Sequence, residues 1–173
     1  MAVVTVKSTQ ITNRDATPRT INNPSFTAGS LKMFVATAEA ANGDSIASKY
    51  IMGQIPSNAA GEIVKLYCDA ITSGAADIGI YRTTVDGGAV VDVDFYASAQ
   101  SIASAITTGT EVQHEADATD SGAGFGLADL EKPLWQRLGL SADPGVMYDI
   151  VLTLTAATTA AGTIGLRVLY TDG

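Results

Sequence analysis

Asp92 and Asp94 stand two apart in an apolar run, and Asp86 lies just before them. On a strand, residues two apart share a face. Such a pair could serve as a glycosidase acid and base, or hold a calcium ion. No third or fourth oxygen ligand follows at loop spacing, and a solvated outer face that protects a sheet edge explains the same residues. His114 beside Glu115 could be half of an acid–base pair, but it is the sole histidine, which rules out His-pair metal sites. Cys68, the sole cysteine, falls on the apolar face of an alternating run and reads as a buried hydrophobe; no disulfide framework is possible. Gly122-Ala123-Gly124-Phe125-Gly126 invites a phosphate-cradle reading. The acidic approach through Glu115, Asp117 and Asp120 would repel a phosphate, so this segment reads as a loop. Trp135 and the six tyrosines could stack on a sugar, but they are dispersed along the chain, and Trp135 reads better as a core or interface anchor. No catalytic, cofactor-binding or metal-binding residue is expected from these candidates, and no cofactor.

The elements that would position these residues are mostly strands. Residues 3–8 are β-branched and read as a short strand. Residues 9–26 carry two prolines and three asparagines without a helical or strand period; so long an irregular stretch is uncommon inside a compact domain. It reads as a surface loop or as an extended arm on a neighbouring subunit. Leu31, Met33 and Val35 alternate with Lys32, Phe34 and Ala36, as in a strand with one face buried. Further strands are expected at 48–55, 62–71, 77–84 and 89–96, with Val64, Leu66 and Cys68 on one face and Val91, Val93 and Phe95 on another. Asp86-Gly87-Gly88 should turn the fourth into the fifth as a hairpin. Residues 100–108 allow a short helix or a loop, and 111–126 read as irregular. Residues 127–139 read as a helix of two or three turns, with Pro133 in its first turn and Gly139 as its cap. Two last strands, 147–155 and 163–170, are joined by a small-residue loop read as a hairpin, and Leu152 and Leu154 should be buried. Seven or eight strands at intervals of roughly ten residues, with one short helix, imply a mainly β antiparallel sandwich, jelly-roll-like. The expected division is an N-terminal strand and arm over 1–28 and a sandwich over 29–173.

Composition narrows the function. Of 173 residues, 46% are apolar and only 16% charged, which excludes a highly charged unfolded chain. The formal net charge is −8 and the ten Lys and Arg are scattered, so no nucleic-acid footprint is visible. No apolar run approaches the 18 or so residues of a membrane span. The first residues lack the features of a signal peptide, and synthesis in a reducing cytoplasm is expected.

The C-terminal third carries a family pattern. Lys132-Pro133-Leu134-Trp135, then Leu138-Gly139-Leu140-Ser141-Ala142-Asp143-Pro144-Gly145, Tyr148-Asp149-Ile150, and Gly162-Thr163-Ile164-Gly165-Leu166-Arg167-Val168 together resemble small structural proteins of tailed bacteriophages, capsid decoration or cement proteins among them. The resemblance implies a virion component with no enzymatic residues, bound to the outside of an assembled capsid and strengthening it. Its partner would be the major capsid protein, with homo-oligomerisation as a dimer or trimer and no nucleic acid or membrane. The arm would supply contacts through Arg14, Pro18, Arg19, Ile21, Pro24 and Phe26, and the domain through Trp135. A tail or head–tail joining protein is the alternative, and a carbohydrate-binding module a further one.

Overall fold

The structure, a computed structural model, describes residues 4, 6–113 and 129–172. Among the described residues, eight strands form two four-stranded antiparallel sheets. They are β1 (Ser30–Ala40), β2 (Lys49–Pro56), β3 (Ala60–Cys68), β4 (Ala75–Arg82), β5 (Val90–Ser101), β6 (Ile106–Glu111), β7 (Met147–Ala156) and β8 (Gly162–Asp172). One sheet has the order β1-β8-β3-β6 and the other β2-β7-β4-β5. The pairing is nested: β1 with β8, β2 with β7, β3 with β6 and β4 with β5. The chain is therefore one long hairpin of strands folded back over itself, and the antiparallel sandwich inferred from the sequence is the observed fold.

Period-two patterning accounts for the core. Val64, Leu66 and Cys68 of β3 point inward, as do Ile164, Leu166 and Val168 of β8 and Tyr148, Ile150, Leu152 and Leu154 of β7. Each fully buried Leu or Ile contributes about 1.5–3 kcal/mol of transfer free energy. The described residues also hold three short α-helices: α1 (Thr9–Asp15), α2 (Pro24–Thr27) and α3 (Leu134–Arg137).

Several expectations need correction. Val4 and residues 6–8 lie in no strand, and α1 follows, where irregular chain was expected; Ser8 caps it by accepting from the Ile11 N–H. Over 100–108, where a short helix or a loop is expected, the loop covers only 102–105, between the end of β5 and the start of β6. β7 and β8 belong to different sheets, so the small-residue loop between them crosses the sandwich and is no hairpin. The helix expected over 127–139 is the single turn α3, with residues 127 and 128 outside the described part. Its end follows the expectation: Gly139 has φ +73°, its N–H donates to the Gln136 carbonyl, and the Leu140 N–H donates to the Trp135 carbonyl, a Schellman motif.

The hairpin joining β4 and β5 is present. A 3₁₀ turn at Thr84–Asp86 leads into Gly87 at φ +92° and Gly88 at φ +61°. Its second strand is less regular than alternation implies. Ile78 pairs with Ala97 while Ile80 pairs with Asp92, so β5 bulges opposite one residue of β4. The bulge shifts the inward side chains: Tyr96 is fully buried, Val93 and Phe95 are half-buried, and Val91 is exposed.

β1 has one face turned to the core, as its alternation implies. The row facing the core is Phe34, Ala36, Ala38 and Ala40, not Leu31, Met33 and Val35. Phe34 explains this choice. Its ring occupies the space over Gly53 of β2, where an added Cβ would collide with it, and so seals the corner between the sheets.

Candidate functional site

Turning Phe34 inward puts the other face of β1 in solvent. Leu31, Met33 and Val35 are 66%, 59% and 59% exposed. Register carries this row across the sheet. Met33 is opposite Leu169, itself opposite Ile63 of β3. Val35 is opposite Arg167, which is opposite Lys65, and Lys65 pairs with Glu111 at 3.2 Å. The outer face of the first sheet is therefore an apolar centre beside a charged row, with β1 as an edge whose second side meets no strand of its sheet. Long apolar edges are normally blunted by charge, proline or a cover, and contiguous apolar patches mark interaction surfaces.

A second feature lies where the arm meets the domain. The first two N–H groups of α3 donate to loop carbonyls between β2 and β3, Leu134 to Ala59 at 2.7 Å and Trp135 to Ser57 at 2.9 Å. Leu134 is buried in the core, Trp135 is half-buried, and the Arg137 guanidinium pairs directly with Glu62. On the other side, Gln10 of α1 donates to Glu131 at 2.8 Å, and Asn13 donates to Asn22 at 2.9 Å. Together these elements line a half-open cavity of about 440 Å³.

The residues singled out in the sequence divide accordingly. Phe26 and Trp135 both line this cavity; Arg14, Pro18, Arg19, Ile21 and Pro24 do not. Those five are exposed, and Arg14 pairs with Asp15 beside it. Asp92 and Asp94 are adjacent on the bulged β5, and burial together with the Asp94 carboxyl lifts Asp92 to about 6. Asp86 is bound instead to the Thr83 hydroxyl at 2.7 Å. Cys68 is buried, its thiol pushed up by burial. His114, Glu115, Asp117, Asp120 and the 122–126 glycine segment lie outside the described residues. Among the described residues no group of three or more His, Cys, Asp or Glu could hold a metal ion, and no helix is long and apolar enough to cross a membrane.

Three features were missed in the sequence. Glu62 shares the parity of Val64, Leu66 and Cys68, which is the signal of an inward carboxylate needing a cation. The alternation of β1 was legible, but which of its two rows faces outward was not. The density of asparagine at 13, 22, 23 and 58 marked the cavity, though residues so far apart in sequence gave no sign of meeting.

No protein-family model matches the sequence, and no curated protein does. The fold is similar to that of a chain from the cyanophage Pam1 capsid asymmetric unit, with a TM-score of 0.54 and 14% identity over 92% of this chain and 97% of that one. At that identity the likeness is one of fold.

Proposed function

We propose that this protein is a virion structural component that binds the outside of an assembled phage capsid and stabilises the shell. The observation that carries the reading is the apolar outer face of β1, Leu31, Met33 and Val35, on a chain of low charge content. A sandwich with that face in water is built for contact with protein. The likeness of nearly the whole fold to a chain of a phage capsid supports a shell as the partner. The nested strand order supports reading the sandwich as a jelly roll. The arm over 1–28 then acts as a separate reaching element, with Arg14, Arg19 and Ile21 on its exposed side. The major capsid protein is the partner, and self-association as a dimer or trimer on the shell would multiply modest contacts into avidity.

A protein that binds the shell and not its free subunits stabilises the shell by mass action. The test is to mix purified protein with expanded capsids of its phage that lack it, and to measure co-sedimentation and the melting temperature of the shell. Attachment with a raised melting temperature is expected, and Met33→Lys should abolish it. No attachment, or attachment without a melting shift, overturns the reading in favour of a tail or joining component.

A further inference from the structure

The cavity between arm and domain has a lining unlike the apolar sheet face. Six of the side chains around it are primary amides: Gln10, Asn13, Asn22, Asn23, Asn58 and Gln136. A primary amide offers two donor hydrogens and an acceptor oxygen in one plane; Gln10, Asn13 and Asn22 each give one hydrogen to Glu131, Asn22 and the Gln10 carbonyl, which leaves each a second hydrogen for a ligand. A hydroxyl also both donates and accepts, so neighbouring amides match neighbouring hydroxyls, where a carboxylate or ammonium would match only half. Trp135, half-buried in the wall, adds an aromatic surface with a polar N–H edge, suited to the C–H face of a pyranose.

Charge narrows the class. Among the described residues no Lys, Arg or His lines the cavity, whereas Glu131 and Asp143 do, so an anion would meet repulsion without a compensating cation. Both carboxylates already accept from neutral donors, Glu131 from Gln10 and Asp143 from Ser57 and the Gly145 N–H, and so they do not call for a cationic ligand. A volume of about 440 Å³ falls in the range of small-molecule sites and suits a mono- or disaccharide.

We propose that this cavity, walled by the amides of the arm and of α3 around Trp135, binds a neutral sugar. The ligand would bridge α1 to α3 and so hold the arm against the domain. The site is distinct from the β1 face and does not depend on the capsid reading.

Trp135 is the only tryptophan, so its emission reports on the cavity directly. The full chain would be titrated with glucose, galactose, mannose, N-acetylglucosamine, maltose and lactose, and with glucuronate and glucose 6-phosphate as charged counterparts. Saturable change with at least one neutral sugar is expected, at least tenfold weaker with the charged ones. Gln136→Ala, at an exposed position on a single helical turn, should weaken binding at least tenfold while leaving the melting temperature unchanged. Asn13→Ala should do the same from the arm side. Saturation-transfer NMR on the sugar protons gives a readout independent of fluorescence. No saturable response by either method, a response unchanged in both variants, or equal binding of the charged sugars would overturn the proposal.

Discussion

Glu62 and Arg137 form a buried ion pair. Both side chains are almost wholly withdrawn from water, with the Arg137 guanidinium also over the Phe95 ring at 5.1 Å and the fully buried Tyr96 nearby. Burial lifts the Glu62 carboxyl to about 7, against the lowering pull of Arg137. A carboxyl that holds its proton more tightly when folded than at its usual 4.5 favours the folded state below that value and loses this advantage as pH rises toward 7. Asp92, lifted from 3.8 to about 6, acts in the same direction over a lower window. Urea midpoints should therefore fall between pH 5 and pH 8, and Glu62→Gln should flatten the upper part of that slope. Removing one partner of a buried pair leaves an uncompensated charge at a cost of about 3–5 kcal/mol. At pH 8, where Glu62 is ionised, Arg137→Ala should lose up to that much in urea denaturation, and Glu62→Leu with Arg137→Met should recover most of it.

Among the elements, β5 is the one whose path depends on a single atom's absence. Its bulge brings the carbonyls of Asp92 and Val93 against Gly79 of β4, where an added Cβ would strike backbone oxygens. Backbone cannot move aside as a flexible side chain can. Gly79→Ala should destabilise by about 2–3 kcal/mol, read as a melting shift of roughly 4–12 °C for a domain of this size. The same bulge shows why the sequence revealed some features and hid others. Alternation located seven of the strands to within a few residues, because Tyr148, Ile150, Leu152 and Leu154 or Val64, Leu66 and Cys68 can bury together only on a strand. β6 escaped because Ile106-Thr107-Thr108-Gly109-Thr110-Glu111 is polar on an edge, with Gly109 at φ +80° under the Tyr67 ring. The facing of β1 was hidden because Leu31, Met33 and Val35 are as apolar as Phe34 and Ala36, and only the gap over Gly53 decides between them. The cavity was illegible because its amides converge through the arm's tertiary docking.

At the scale of the whole molecule, the arm and the sandwich are unequal partners. α1 has no buried residue, and its ties to the domain are side-chain hydrogen bonds such as Gln10 to Glu131, each worth about 0.5–1.5 kcal/mol net. Deleting residues 9–26 should leave the sandwich folded, with melting lowered by only a few degrees by circular dichroism. The deletion should weaken co-sedimentation with capsids and abolish any response of Trp135 to sugars.

The nested pairing also sets a clock on how the protein comes into being. Among the paired strands, only β4 and β5 are sequence neighbours, and β1 finds its partner some 130 residues later, Ala40 opposite Gly162 at the near end and Ser30 opposite Asp172 at the far end. Pairing over such separations is slow, since chain closure must come before any contact rewards it. During synthesis the β4–β5 hairpin can close early, but β2 waits for β7, and β1 waits until β8 has left the ribosome. Until then the nascent chain carries Leu31, Met33, Val35 and both sides of β1 unpaired, so chaperone occupancy, more than final stability, should govern the yield of folded protein.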